Sequence, residues 1–163
     1  MTRTVPSPLT TTLKLTYIKK DIFSAPENSI LVHACNTKGS WGAGIALAFR
    51  ERYPEAFTVY NQHCKEQGPA TLGTCLLIPG ERHDIACLFT LEAYGRQKDS
   101  LEQILDATRT AMGDLMRQNT EGKKIHACRI NSGKFGVPWV DTERILEELG
   151  VEMTIYDPVV PVK

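Results

Sequence analysis

Two segments of the chain share one order of parts, and that order restricts the fold more than any other feature. Residues 33–49 (HACNTKGSWGAGIALAF) and 129–139 (RINSGKFGVPW) each end an apolar run, pass through a polar glycine-rich stretch and enter a helix-like pattern. Strands that alternate with helices in this way predict a mostly parallel or mixed sheet covered on both faces. A length of 163 residues, 42% of them apolar, suits one globular domain.

Hydrophobic patterning divides the rest of the chain into short elements. Helices are predicted over residues 44–53, from Pro54 to about residue 68, from residue 100 onward, and from Pro138 to about residue 148, with Gly150 as the C-terminal cap. Short apolar or alternating runs predict strands. These runs are residues 13–18, 29–35, 74–79, 85–90, 124–130 and 151–156.

The third helix has the clearest signals. Ser100 and Gln103 have the spacing of a capping box, in which each side chain bonds the other residue's backbone N–H. Apolar residues then recur at helical spacing and predict one buried stripe. The stripe is Leu101, Ile104, Leu105, Thr108, Met112, Leu115 and Met116.

Charge and cysteine content narrow the class of partner and the compartment. The 19 basic and 19 acidic side chains cancel, which argues against a nucleic-acid partner because duplex binders use a basic excess. Four of the five cysteines lie in apolar runs, so we expect buried reduced thiols and a cytoplasmic or nuclear location. Because no two cysteines form a C-x-x-C pair, we expect no metal site. Residues 1–10 predict a disordered lead before a domain over residues 11–163. They hold no apolar segment, so we expect neither a secretion signal nor a membrane association.

The glycine-rich stretches suit a phosphate-bearing ligand. Glycine lets the backbone adopt positive φ and approach a phosphate closely, and the N–H groups of a helix N-terminus attract anions. Gly42 and Gly44 would serve this in the first loop, and Gly133 and Gly136 in the second. The first loop has neither the G-K-[ST] of a P-loop nor the third glycine of a dinucleotide fingerprint. The alternative interpretation is a pair of tight turns without a ligand.

Four segments of the chain resemble a known protein family. KKDIF (residues 19–23), ILVHACNTKGSWGAGIALAF (30–49), ACLFT (86–90) and INSGKFGVPWVDTERILEE (130–148) resemble the macrodomain superfamily, and within it the fungal ADP-ribose 1''-phosphate phosphatases. The resemblance implies a three-layer α/β/α fold with a mixed central sheet. It also implies a monomeric phosphomonoesterase without a cofactor, acting on ADP-ribose 1''-phosphate and binding ADP-ribose.

The resemblance also implies site residues. Asp21 would accept the adenine amino group, Asn36 and Phe135 would lie at the distal ribose, and Tyr156 would stack on adenine. From the residues alone these could equally be a solvated acid, an Asx turn and two packed rings. The full implied binding set is Asp21, Ile22, Ala34, Cys35, Asn36, Trp41, Gly42, Ala43, Gly44, Ile45, Ala46, Ser132, Gly133, Lys134, Phe135, Gly136 and Tyr156.

His33 and Asn36 are the predicted catalytic residues. An imidazole titrates near neutrality and can protonate a departing alcohol, although a histidine ending an apolar run is often structural. Two other activities stay open: removal of ADP-ribose from protein or nucleic acid, and ADP-ribose binding without turnover. One hydrolase branch uses a lysine and an aspartate where this chain has Thr90-Leu91 and Phe135, which argues against that chemistry.

Overall fold

The computed structural model of the protein describes residues 14–92 and 99–159, so the predicted lead over residues 1–10 lies outside the described residues. Six strands and four α-helices follow one another along these residues. They are β1 (Leu15–Lys19), β2 (Ser29–Asn36), α1 (Gly44–Arg52), α2 (Pro54–Gln67), β3 (Cys75–Ile78), β4 (His83–Leu91), α3 (Leu101–Gln118), β5 (Ile125–Ala127), α4 (Trp139–Leu149) and β6 (Met153–Asp157).

The strands form one mixed sheet in the order β1-β6-β5-β2-β4-β3. Every neighbouring pair is parallel except β3 and β4, which run antiparallel. The mixed sheet predicted from the sequence is therefore confirmed. Because β2, β4, β5 and β6 are parallel, their carboxyl ends lie at the same edge, where open α/β sheets bind ligands.

Alternate residues of the central strand β2 face opposite layers. Ile30 and Val32 belong to one buried cluster with α3 and α4, and Leu31 and Cys35 belong to another with α1 and α2. Apolar groups cover the sheet on both faces, which confirms the three-layer α/β/α arrangement and explains why β4 is buried along its whole length. None of the helices in the described residues combines the length and hydropathy needed to span a membrane.

The cap of α3 is confirmed and its stripe is partly wrong. Ser100 and Gln103 form both bonds of the capping box. Ile104, Thr108, Met112 and Leu115 are buried, whereas Leu101 is 46% exposed and Met116 38% exposed. Leu101 is the first helical residue, one turn before the buried face begins, and Met116 lies beyond the edge of that face. Ala107 and Ala111 complete the buried face.

The largest error in the predicted strands concerns β5. The apolar run predicts a strand over residues 124–130, but only Ile125–Ala127 pairs with β2 and β6. Beyond Ala127 the backbone leaves the sheet, and the Ser132 N–H donates to the Arg129 carbonyl in the turn that begins the second glycine loop. Two short 3₁₀ turns, Ile22–Ser24 and Gly68–Thr71, were also not predicted. The other predicted elements agree with the structure apart from shifts at their ends, and Gly150 closes α4 with a φ of 69°.

Candidate functional site

The two glycine loops and the carboxyl ends of the central strands enclose a cleft of about 1090 Å³. Most of the residues that the sequence analysis assigned to a ligand line this cleft. They are His33, Ala34, Cys35, Asn36, Trp41, Gly42, Ala43, Gly44, Ile45, Ala46, Gly133, Lys134, Phe135 and Tyr156. A cleft of this size and position accommodates a nucleotide-sized ligand.

Asp21, Ile22, Ser132 and Gly136 are not among the lining residues. The Asp21 carboxylate, 59% exposed, accepts the Phe23 N–H at 3.0 Å, so it caps the 3₁₀ turn, while Ile22 is buried in the core. Gly136 closes the second loop through its N–H to the Gly133 carbonyl. The ligand contacts assigned to these four residues stay predictions.

Asn36 organises the first loop. It lies at an irregularity in the pairing of β2 with β4, where the strand ends. Its Oδ1 accepts the Lys38 N–H at 2.9 Å and the Tyr60 hydroxyl at 3.1 Å, and its Nδ2 donates to the Ser40 carbonyl at 2.9 Å. This is the Asx-turn role that the sequence analysis left open. Any contact with a ribose adds to that structural role.

The first loop ends at a helix N-terminus that faces the cleft. Gly44 begins α1 with a φ of 60°, a conformation that favours glycine over any residue with a Cβ. Ala43 precedes it and provides no side-chain cap, and the first turn lines the cleft through Ile45 and Ala46. The N–H groups at the start of a helix have no intrahelical partner and attract anions. This end of the cleft is suited to phosphate.

Asn131 organises the second loop, and the sequence analysis missed it. Its Oδ1 accepts the Thr90 hydroxyl of β4 at 2.8 Å, and its Nδ2 donates to the hydroxyls of Thr108 in α3 at 2.9 Å and Thr142 in α4 at 3.3 Å. Its backbone has a φ of 69°, which asparagine tolerates better than most residues. One buried side chain thus ties the loop to three elements. Its position directly after an apolar run, like that of Asn36, was the available signal.

His33 lies beneath the first loop in an aromatic layer. Its ring is 1% exposed, stacks on Phe49 at 4.2 Å between centroids and meets the edge of Trp41 at 4.6 Å. The ring therefore contributes to packing between β2 and α1 in addition to lining the cleft. Its assignment as a catalytic residue stays a prediction.

One group of possible metal ligands was not visible in the sequence, although the absence of a metal site stays a prediction. Donor atoms of His33, Cys35 and Cys87 all lie within 4.8 Å of one another, and all three residues are buried. Parallel pairing places Cys87 opposite His33, although the two residues are far apart in the sequence. Burial raises the pKa of the Cys87 thiol well above its ordinary value, and a protonated thiol is a poor metal ligand.

Arg129 lines the cleft and is held in place by an ion pair and by two aromatic rings behind it. Arg129 donates from Nε and a terminal nitrogen to the two Asp157 oxygens at 2.7 and 3.0 Å. Its guanidinium also lies 5.4 Å from the Tyr17 ring centroid and 5.6 Å from that of Trp139. The hydrogen bond from Arg129 lowers the pKa of Asp157, and burial raises the pKa of the neighbouring Tyr156. Arg129 and Asp157 line the cleft, and the sequence analysis did not identify them.

Comparison with known families agrees with this fold and site. Residues 32–146 match the Macro domain family, so the chain belongs to that family. The resemblance found in the two glycine loops is confirmed.

Curated relatives match along most of their length. The ADP-ribose 1''-phosphate phosphatase of Chaetomium globosum is 45% identical over 159 residues, covering 85% of this chain and 86% of that one. The protein of the same name from Meyerozyma guilliermondii is 36% identical over 171 residues, covering 88% of this chain and 98% of that one.

Among solved structures, the macrodomain of Mycobacterium tuberculosis DarG has a TM-score of 0.72 and 28% identity, covering 89% of this chain and 98% of that one. Thermosipho africanus DarTG in complex with ADP-ribose has a TM-score of 0.68 and 18% identity, covering 91% and 42%.

Replacing Asn131 by alanine should lower the free energy of unfolding by about 3 kcal/mol, because three hydroxyls lose a buried partner. Urea denaturation measures the loss, and calorimetry should show weaker ADP-ribose binding because the second loop is no longer anchored. Asn119→Ala is the matched control, since Asn119 bonds the backbone of Lys123 in a turn that does not line the cleft. It should destabilise the fold and leave ADP-ribose affinity unchanged. Wild-type stability in Asn131→Ala would contradict the anchoring role.

Proposed function

We propose that the protein is a phosphomonoesterase that converts ADP-ribose 1''-phosphate to ADP-ribose and inorganic phosphate. The observation that carries this proposal is the 45% identity to the Chaetomium globosum ADP-ribose 1''-phosphate phosphatase over most of both chains. The cleft supports it, because one end offers helix and loop N–H groups and the other offers flat side chains that suit a base.

The geometry suggests one orientation of the substrate. In this proposed orientation the diphosphate binds at the start of α1 near Gly44 and adenine binds beside Tyr156, two residues that line the cleft. The distal ribose then extends toward Asn36 and the second loop, with its phosphate between the two loops. Water attacks phosphorus, the P–O bond to the sugar breaks, and the released sugar oxygen takes a proton. Backbone N–H groups stabilise the phosphoryl oxygens in the transition state.

We also propose that the protein acts as a monomer in the cytoplasm or nucleus, without a nucleic-acid or membrane partner. The balanced charge of 19 basic and 19 acidic side chains supports the first exclusion. The four buried cysteines, none of them in a disulfide, suit a reducing compartment.

Phosphate release from ADP-ribose 1''-phosphate tests the activity directly. We expect release to continue in the presence of a chelator. The reason is that Asp157, the one carboxylate that lines the cleft within residues 14–92 and 99–159, is already paired with Arg129 and is not available as a metal ligand. Loss of release in chelator, with recovery on addition of magnesium or zinc, would contradict this mechanism.

An ADP-ribosylated peptide assayed in parallel separates phosphatase activity from ADP-ribosyl hydrolase activity. ADP-ribose binding with no turnover of either substrate would identify a binding module.

Replacing Gly44 by valine should abolish measurable ADP-ribose binding, because a β-branched residue does not adopt a φ of 60° without moving the loop. Calorimetry on folded protein measures the effect. Gly122→Val is the matched control: Gly122 has a φ of 65°, has open space around it and does not line the cleft. Both variants should lose stability, but only Gly44→Val should lose the ligand. Equal ADP-ribose affinity in the two variants would contradict binding of the phosphates at this loop.

Replacing His33 by phenylalanine separates acid–base chemistry from packing. Phenylalanine keeps a ring against Phe49 and Trp41, so Tm should change little, whereas loss of a proton-transfer group should lower kcat by about 10²–10⁴-fold. Affinity for ADP-ribose, which lacks the scissile phosphate, should stay near wild type. His33→Ala provides the comparison, because it removes the ring as well. A normal kcat in His33→Phe together with a lower Tm in His33→Ala would leave the imidazole a packing role only.

A further inference from the structure

Lys134 differs from the other charged groups of the cleft. Arg129 and Asp157 neutralise each other through two hydrogen bonds, and His33 is buried beneath aromatic rings. Lys134 also lines the cleft, yet it forms no ion pair with any other residue in the part of the chain that the structure describes. The wall therefore contains one positive charge that no described carboxylate offsets.

The side chain of Lys134 connects the two glycine loops. It originates in the second loop, and its aliphatic stem reaches the first: a Cβ placed on Gly44 would lie 3.8 Å from Cγ of Lys134. Gly44 is the first residue of α1, so the stem lies beside the helix N-terminus that is suited to phosphate. The aliphatic stem of Lys134 therefore lies at the end of the cleft that is suited to phosphate.

Charge explains why this end needs a cation. The loop N–H groups are neutral dipoles, and a helix N-terminus supplies only about half a positive charge. Backbone N–H groups and a helix N-terminus can together bind a diphosphate. A phosphomonoester adds about 1.5–2 further negative charges at pH 7 within the same small volume. A full positive charge on a long, adjustable stem is the group that offsets this additional charge.

We propose that Lys134 is a specificity-determining residue whose ammonium group binds the terminal phosphate and makes the cleft prefer ADP-ribose 1''-phosphate to ADP-ribose. This inference rests on the phosphatase activity proposed above. It has a consequence for turnover: hydrolysis removes the group that Lys134 binds, so the product loses this attraction and leaves more readily. A lysine bound to the diphosphate instead would contribute equally to both ligands.

Two variants of Lys134 test this role. Lys134→Met keeps the stem length and removes the charge, and Lys134→Arg keeps the charge. In Lys134→Met we expect the KM for ADP-ribose 1''-phosphate to rise about 10–100-fold, because a hydrogen bond to a charged group is lost. The Kd for ADP-ribose should change much less. Lys134→Arg should stay close to wild type for both ligands. Lys65→Met, on the last turn of α2 and outside the cleft, controls for the change in net charge.

Ionic strength provides a second readout that a structural role would not move. The preference for ADP-ribose 1''-phosphate should decline with added salt in the wild type and stay flat in Lys134→Met, because salt screens an exposed charge. An equal loss of affinity for both ligands in Lys134→Met would assign the lysine to the diphosphate and overturn the proposal. Unchanged affinity for both would make it a solvated rim residue and overturn it too.

The test also distinguishes this inference from the proposed function. If the wild type releases no phosphate, the phosphatase assignment fails. The equilibrium binding of ADP-ribose 1''-phosphate and ADP-ribose to wild type and Lys134→Met still measures the discrimination. A preference for the phosphorylated ligand that Lys134→Met loses would then support the role of Lys134 in a binding module. Identical preference in the two proteins would reject it.

Discussion

The site depends on how the chain leaves a buried sheet. At the end of a central strand the backbone loses its ladder partners in an environment that penalises unpaired polar groups. Asn36 solves this problem at the end of β2, because its amide side chain bonds backbone groups of the following loop. After β5, the amide side chain of Asn131 instead anchors the loop to three threonine hydroxyls. The loops are therefore fixed in place before any ligand arrives.

Fixed loops allow weak donors to act together. A backbone N–H is a neutral dipole, so phosphate binding requires several of them to be held at one point. The positive φ of Gly44 directs the start of α1 into the cleft, and the Asn131 network holds the second loop opposite it. Buried polar side chains therefore hold the loops in place. This arrangement leaves the exposed Lys134 free to respond to the charge of the ligand.

The same layer that supports the first loop also contains His33 of β2. His33 packs on Phe49 and Trp41, and Trp41 stacks on Tyr60, whose hydroxyl bonds the carbonyl of Asn36. The core of the α1–α2 face and the cleft therefore share residues. A substitution that removes the His33 ring will therefore disturb the packing of this layer and the wall of the cleft together.

Local order in the sequence determined the strands and helices, the α3 capping box and the two glycine loops, because these follow from short-range periodicity and backbone conformation. The motif resemblance then identified the family. Tertiary structure decided what lies far apart in sequence: the short β5, the pairing of Arg129 with Asp157, the bond from Thr90 to Asn131, and the proximity of His33 to Cys87. These features depend on strand order and register, which are set by packing between distant segments and are not encoded in any one of them.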